Sequence, residues 1–380
     1  MRIESIQLYR VASGPPPESH TGSGSLPNDG SRLMPEARES VVVAMTRGQH
    51  TGWGEVSLGV APRRSREWAR GAFACTRDWL APAVVGRAIE SGEQLHEARS
   101  ELTGNEGAKA ALDIGWWNLQ AAEKGEPLHA RLGAQCRPVA LGIRLPQMAT
   151  IEALLAEIQR ALDQGYRTIS LEFRPGWDLE MLRAVRQTFP DAPLAVDCDG
   201  CCSLGQQEML YRLEDFFLEA IEQPLPADDL VGHAMLQANL RTPIMLDQSI
   251  VSPAHVEQAA DLESCRAVRV NPARVGGLTP AVAIHAACQA AQIPCAVGAA
   301  DAGILERAAT LALATLPGFS LAAEVSLAIG VPSWLSAAPA LSADASGGDL
   351  AFLPSPEVGE GVAIDVDALM HAALDRAMVG

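Results

Sequence analysis

Three short apolar runs in the second half of the chain each end in an acid: Asp197 in AVDCD, Glu222 in AIEQP and Asp247 in MLDQS. The intervals between them are 25 and 25 residues. If each run is a strand and each interval one βα unit, the acids stand at the C-terminal ends of three neighbouring parallel strands, the face where barrel enzymes carry out chemistry. Three carboxylates crowded in a partly desolvated mouth repel one another, and a divalent cation resolves the repulsion. All-oxygen donors favour magnesium, with manganese as the alternative. For any one acid alone, a solvated strand end or a helix cap is the plainer reading; equal spacing over three consecutive runs is what favours a shared ion.

The elements that must carry these acids are legible in the rest of the chain. From about residue 139 short apolar runs alternate with helix-like stretches: VALGIRL, TISLEFR, LAVDC, FLEAIEQP, PIMLDQS, AVRVNP, PCAVGAA and FSLAAE. Eight strands separated by amphipathic helices are what a parallel α/β barrel needs to close. Before them, residues 3–11 (IESIQLYRV) and 39–48 (ESVVVAMTRG) alternate in hydrophobicity as strands do, and Gly52-Trp53-Gly54-Glu55 is read as a turn. Residues 13–30, rich in Gly, Pro and Ser, read as a mobile loop, either a passive surface insert or a lid over a site. Helical periodicity runs from about Ser65 to Gly133, with Trp116, Trp117 and Leu119 as packing residues. The expected organisation is a domain over 1–135 carrying the loop 13–31, a barrel over 136–335, and a segment over 336–380 that packs back on the first domain.

Composition excludes several classes of function. The 380 residues are 48% hydrophobic, enough for a sizeable core without disulfides, and carry a net charge of -17. Two lysines, Lys109 and Lys124, stand beside 27 arginines. So acidic a chain offers no basic face for phosphate neutralisation, and nucleic acid is not an expected partner. No window approaches the ~20 uninterrupted apolar residues of a membrane span, and MRIESIQLYRV lacks a signal-peptide core, so no membrane partner is expected and a cytoplasmic location is. Eight scattered cysteines read as free thiols, and Cys198, Cys201 and Cys202 lack the further ligands a tetrahedral zinc site requires.

The segments KAALDIGWWNLQAAEKGEPLHARLG, PGWD, VDCD, IEQPL, LDQS, NPARVGGL and LATLPGF, in this order, resemble the enolase superfamily. The likeness is to the N-acylamino acid racemase and o-succinylbenzoate synthase branch of its muconate-lactonizing group, and runs from residue 1 to about 330. It implies a (β/α)7β-type TIM barrel under an α+β capping domain, and a magnesium ion held at the positions of Asp197, Glu222 and Asp247. In such proteins the metal stabilises the enediolate formed when a base removes a proton α to a carboxylate. That proton is very weakly acidic, so charge growing on the carboxyl oxygens must be offset by a cation. The resemblance also implies a small carboxylate substrate and a homo-oligomer.

Departures from the pattern fall on the acid/base groups. The resemblance places a Lys-x-Lys at the end of the second barrel strand and another lysine at the end of the sixth, on opposite faces of the substrate. This chain has Ser170-Leu171-Glu172 and Asn271 there. Serine and asparagine are not general bases near neutral pH. Strand alternation turns Ser170, Glu172 and Arg174 inward together, and Arg269 with Asn271, so Glu172 and Arg269 are expected neighbours. Glu172 is the remaining candidate acid/base, weighed against a structural ion pair with Arg269 or Arg174. Asp199 stands where relatives usually have an amide, Gln248 where they usually have an acid, and Ala299, Ala300 and Asp301 replace bulkier residues. Asp199, Arg269 and Asp301 are candidate substrate contacts, a cap being the competing role for Asp301. His233, His255 and His285 fall in helical stretches and are expected outside the barrel, and Gly276-Gly277 reads as a tight turn after its sixth strand.

Two functional readings stay open. One is an enzyme abstracting an α-proton from a carboxylate substrate with Glu172 as the surviving acid/base. A one-base site supports syn elimination or exchange more readily than two-base racemisation, which favours a lyase over a racemase. The other is a catalytically inactive relative that binds metal or a small molecule. A weaker third has a partner chain supplying the missing lysines.

Overall fold

The computed structural model describes residues 2–13, 37–63, 65–174, 178–326, 331–335, 341–343 and 350–380. The expected loop 13–31 lies outside them beyond Ser13. Strands β1 (Ser5–Ser13), β2 (Arg38–Arg47) and β3 (His50–Gly59) build an antiparallel sheet in that order. The first two fall on the alternating segments. The Gly52-Trp53-Gly54-Glu55 segment, however, is no turn: it lies within β3, and the chain reverses at Gly48-Gln49, with Gly48 at φ 61°.

The two β3 glycines serve a close approach instead. Helix α1 (Glu106–Lys124) lies so near the sheet that a Cβ on Gly52 would stand 2.1 Å from the Gly115 carbonyl oxygen, and one on Gly54 2.1 Å from that of Ala111. Trp116 and Leu119 are buried, as packing residues should be. The opposite side of α1 ties to the barrel: Trp117 Nε1 donates to Thr279 Oγ1 at 3.0 Å, and buried Asp113 accepts the Thr279 N–H at 2.9 Å. Around α1 the helical region from about Ser65 to Gly133 breaks into shorter pieces.

The barrel begins with β4 (Val139–Leu145), followed by α2 (Ile151–Gln164), β5 (Thr168–Glu172), α3 (Leu179–Thr188), β6 (Leu194–Asp197) and β7 (Ile221–Glu222). It continues through α4 (Leu230–Gln237), β8 (Ile244–Leu246), α5 (Pro253–Asp261), β9 (Ala267–Val270) and α6 (Leu278–Ala290). It ends with β10 (Cys295–Ala299), α7 (Ile304–Leu313) and β11 (Ala323–Ser326). Each strand pairs in parallel with the next, and β11 returns to β4 with Ala323 opposite Leu141, so the sheet closes. The eight strands fall on the eight apolar runs, the last starting only at Ala323. The helices read as amphipathic for a visible reason: in α2, Leu154, Ile158 and Ala161 are buried at a spacing of four and three, behind a Thr150 cap that accepts the Ala153 N–H.

After the barrel, β12 (Leu341–Ala343) and β13 (Leu350–Phe352) pair antiparallel, and β13 also pairs with the start of β4. The chain closes with α8 (Val366–Ala372) and β14 (Ala373–Val379), which pairs antiparallel with β1, Val379 opposite Ile6. This sheet is therefore completed by the last residues of the chain. No helix among the described residues is long and apolar enough to cross a membrane.

Candidate active site

The three acids stand where the spacing put them. Glu172 on β5 is in register with Asp197 on β6, and Asp197 with Glu222 on β7, while Asp247 directly follows β8. All four side chains are buried at the mouth of the barrel. What surrounds them is a set of arginines. Arg144, near the end of β4, places Nη2 2.8 Å from Asp197 Oδ2. Arg269 on β9 donates from Nε and Nη2 to the two oxygens of Glu222, at 2.7 and 2.8 Å, a bidentate fork. Its Nη2 also lies 3.2 Å from Glu324 Oε2 on β11. Arg274, in the short helix after β9, donates to Asp247 Oδ1. Arg174 donates to Glu172 Oε1 at 2.8 Å and to Asp199 Oδ2 at 3.0 Å.

The expected Glu172 and Arg269 neighbours are thus corrected: Arg269 serves Glu222 and Glu324, and Glu172 takes Arg174. Alternate strands of such a barrel contribute to a shared interior layer, and Glu222, Arg269 and Glu324 come from β7, β9 and β11. Burial works against the Arg269 charge, but the Glu222 and Glu324 carboxylates outweigh it and hold the guanidinium pKa above its ordinary value. Arg144, Arg174 and Arg274 are raised in the same way, each against its own burial, chiefly by Asp197, by Glu172 with Asp199, and by Asp247.

The remaining sequence candidates take definite places. Glu172 Oε2 accepts the Gln147 N–H at 3.0 Å, so both of its oxygens are engaged. Ser170 Oγ, buried on β5, has no hydrogen-bond partner among the described residues. Asn271 caps the short helix after β9, its Oδ1 accepting the Ala273 N–H at 3.1 Å. Asp199, in a left-handed conformation at φ 47°, is held between Arg174 and Gln248 Nε2, the latter at 2.7 Å. Asp301 is 58% exposed in its side chain, with Arg38 at 3.9 Å; the cap of α7 is Gly303 rather than Asp301. Gly276 and Gly277, both at positive φ, make the expected turn. His233 sits on an outer helix but is fully buried, its Nε2 accepting the Leu225 N–H in the loop after Glu222.

Sequence reasoning passed over five residues. Arg144, in VALGIRL, and Arg274, in NPARVGGL, carry no local mark of a role, and Glu324 ends the eighth apolar run much as the other acids end theirs. Gln223 fastens the loops behind the acids: its Oε1 accepts the N–H groups of Asp247 and Ser249, and its Nε2 donates to Ser249 Oγ at 2.7 Å. Gly298 on β10 leaves room for the stem of Arg269.

Two cavities flank this layer. One of about 360 Å³ lies at the mouth, lined by Arg63, Arg174, Asp199, Cys201, Gln223 and Gln248. The second, of about 190 Å³, lies toward the strands' N-terminal ends, among Ser170, Ala195, Met245, Ala267, Arg269 and Glu324. Of the candidate substrate contacts, Asp199 borders the first cavity and Arg269 the second.

A magnesium ion shared by Asp197, Glu222 and Asp247 needs a free oxygen from each directed at one point. Glu222, the middle acid, has both oxygens in the Arg269 fork; Asp197 has one oxygen on Arg144 and the other on the Asp199 N–H at 2.9 Å; Asp247 is held by Arg274. Among the described residues no three His, Cys, Asp or Glu side chains are placed to hold a metal ion. As arranged, these residues do not fit a common divalent ion.

A family model described as "Enolase C-terminal domain-like" matches residues 153–368. The chain is 39% identical over 277 residues to an N-succinylamino acid racemase of Thermus thermophilus, covering 73% of this chain and 75% of that one. It is 38% identical over 283 residues to an o-succinylbenzoate synthase of Geobacillus stearothermophilus, with 74% and 75% covered. The crystal structure of an enolase-superfamily protein of Enterococcus faecalis, 28% identical, superposes with a TM-score of 0.82 over 100% of this chain and 99% of that one. The closed eight-stranded barrel with its antiparallel sheet domain is therefore a shared architecture. With more than half of its length inside the family model and two enzymes above 30% identity spanning over two thirds of it, the chain belongs to the enolase superfamily.

Proposed function

We propose that the chain is an enzyme acting on a small carboxylate at the mouth of its barrel, moving the proton α to the carboxyl group, with Glu172 as the group that takes it. The observation carrying this reading is the seat of Glu172: a carboxylate at the end of β5, where the resemblance places a catalytic lysine, paired with the Arg174 guanidinium at 2.8 Å. An ionised carboxylate is the form that accepts a proton. Arg174 and Arg63 line the mouth cavity and offer positive charge to a substrate carboxyl group. The names of the racemase and synthase relatives suggest N-succinylamino acids and related succinyl-bearing carboxylates as substrates.

On the opposite face, among the described residues, the position where the resemblance places the second lysine is Asn271, which is spent on a helix cap. A single base supports elimination or exchange on one face, so a lyase is preferred over a two-base racemase. Magnesium and manganese have no part in this reading, because Arg269 occupies both oxygens of Glu222. The proposed setting is a cytoplasmic homo-oligomer, whose net charge of -17 favours solubility.

The test is deuterium uptake at Cα of a panel of N-succinylamino acids in heavy water, followed by proton NMR. Uptake that is lost in Glu172→Gln, with the fold retained by circular dichroism, supports the reading; no uptake by the native chain across the panel refutes it. A second reading, a non-catalytic binder, is favoured by the engagement of both Glu172 oxygens. It predicts saturable binding of the same compounds without exchange.

A further inference from the structure

We propose that Arg269 is a fixed cation just beneath the barrel mouth, taking up both oxygens of Glu222, the middle acid, that a shared divalent ion would need, so that the chain gathers its acids without metal. The inference goes beyond the proposed reaction and does not depend on it, because it is read from metal uptake rather than from turnover.

Three features on different strands converge on this arrangement. The first is the fork itself. Arg269 covers both oxygens of Glu222 and reaches Glu324, so one delocalised cation answers two carboxylates on alternate strands. Its side chain is 8% exposed, and those of Glu222 and Glu324 are 3% and 7%. Charges so buried require a partner: Glu222 has both oxygens in the fork, and Glu324 Oε2 has the ion-pair approach of Arg269 at 3.2 Å without a hydrogen bond among the described residues.

The second is the channel for the arginine stem. Gly298 on β10 faces it so closely that a Cβ there would stand 2.9 Å from Arg269 Cδ and 3.2 Å from Cγ. Any larger residue would force the stem aside. The third is Ser170 on β5, which with Arg269 and Glu324 lines the lower cavity and leaves it open. The lysine that the resemblance places there would bring a second cation into the space below the fork. The inward cation of this layer stands on β9 and not at the β5 position, and Gly298 and Ser170 are the small residues that leave room for it.

A dication seated on Glu222 must displace a guanidinium that holds both of its oxygens through Nε and Nη2, or share the pocket with it and be repelled. Six acids, Glu172, Asp197, Asp199, Glu222, Asp247 and Glu324, face five arginines, Arg63, Arg144, Arg174, Arg269 and Arg274, so most of the negative charge here is already answered by fixed cations. What Arg269 denies is the inner seat on Glu222. Arg144 and Arg274 complete the pattern by holding Asp197 and Asp247, the acids on either side.

The experiment uses the full chain, stripped with chelator and titrated with manganese. Free manganese is read by electron paramagnetic resonance, and the melting temperature is read in parallel, because an ion that binds the folded chain must raise it. The native chain is expected to show no saturable uptake of one ion per chain and no rise in melting temperature through millimolar manganese. Arg269→Gln is expected to gain one ion per chain, bound roughly tenfold tighter than any residual binding by the native protein, with a melting temperature that rises with manganese. Stoichiometric uptake by the native chain overturns the proposal, as does a folded Arg269→Gln that takes up none. If Arg269→Gln does not fold, the native chain decides: a manganese-dependent rise in its melting temperature overturns the proposal, and its absence supports it.

Discussion

Replacing Arg269 with methionine keeps the apolar stem and removes the guanidinium. Glu222 and Glu324 then remain in the barrel with their oxygens uncompensated, at 3% and 7% side-chain exposure. Deleting one partner of a buried ion pair costs about 3–5 kcal/mol, chiefly because the other charge is stranded. Three contacts are lost at once, the two arms of the fork and the reach to Glu324, which places the expected loss toward the upper part of that range. Burial together with the neighbouring acids already pushes the Glu324 carboxyl up. Without Arg269 its protonated form is favoured further, so the destabilisation should shrink as pH is lowered toward the carboxylate range. The assay is urea unfolding followed by circular dichroism at pH 7.5 and at pH 5.5, for the native chain, Arg269→Met, and the triple variant with Glu222→Gln and Glu324→Gln. The triple variant should recover most of the loss, since neutral amides strand no charge. A loss below about 1 kcal/mol for Arg269→Met, or a triple variant no more stable than the single one, would refute the reasoning.

Two further outcomes follow from the same structure. Burial, with Glu55 nearby adding to it, pushes the Glu306 carboxyl up to about 8, so the folded chain keeps a proton that the unfolded chain releases above the ordinary carboxylate range. The stability this confers is complete at low pH and lost as pH rises through about 8. Melting temperature should therefore fall as pH rises from the ordinary carboxylate range to about 8 and level off above it, and Glu306→Gln should flatten that slope; an unchanged slope in the variant would assign the effect elsewhere. Gly298→Ala should cost about 1–3 kcal/mol by overpacking the Arg269 stem, measured by the same urea unfolding. A neutral substitution there would mean that the stem has somewhere else to go.

The barrel is legible in the sequence for a physical reason. Strands covered on both faces read as continuous apolar runs, and a regular βα unit puts successive strand ends at equal intervals, so Asp197, Glu222 and Asp247 announce themselves by spacing. The capping sheet is legible only in part. Gly52 and Gly54 look like turn residues because glycine signals a turn and a close backbone approach with the same letter; the approaching partner, Gly115 on α1, is some sixty residues away. Strand β14 escapes notice because its seven residues follow a helix and gain their meaning only from β1 at the other end of the chain.

The partners of the acids were the least legible. Alternation tells which face of a strand Arg269 occupies but not which interior layer it reaches, and that layer decides for Glu222 and Glu324 over Glu172. The pairings of Arg144 with Asp197 and Arg274 with Asp247 bring together residues 53 and 27 positions apart, and nothing local marks either arginine. Twenty-seven arginines against two lysines is the one compositional trace, and it is shared with many residues far from the mouth.

The most direct measurement is a crystal structure of the full chain grown in millimolar manganese, with data collected where manganese scatters anomalously. The arrangement described predicts no anomalous peak among Asp197, Glu222 and Asp247, and both nitrogens of Arg269 still on the oxygens of Glu222. A peak bridging the three acids, with the Arg269 guanidinium swung away from Glu222, would contradict it.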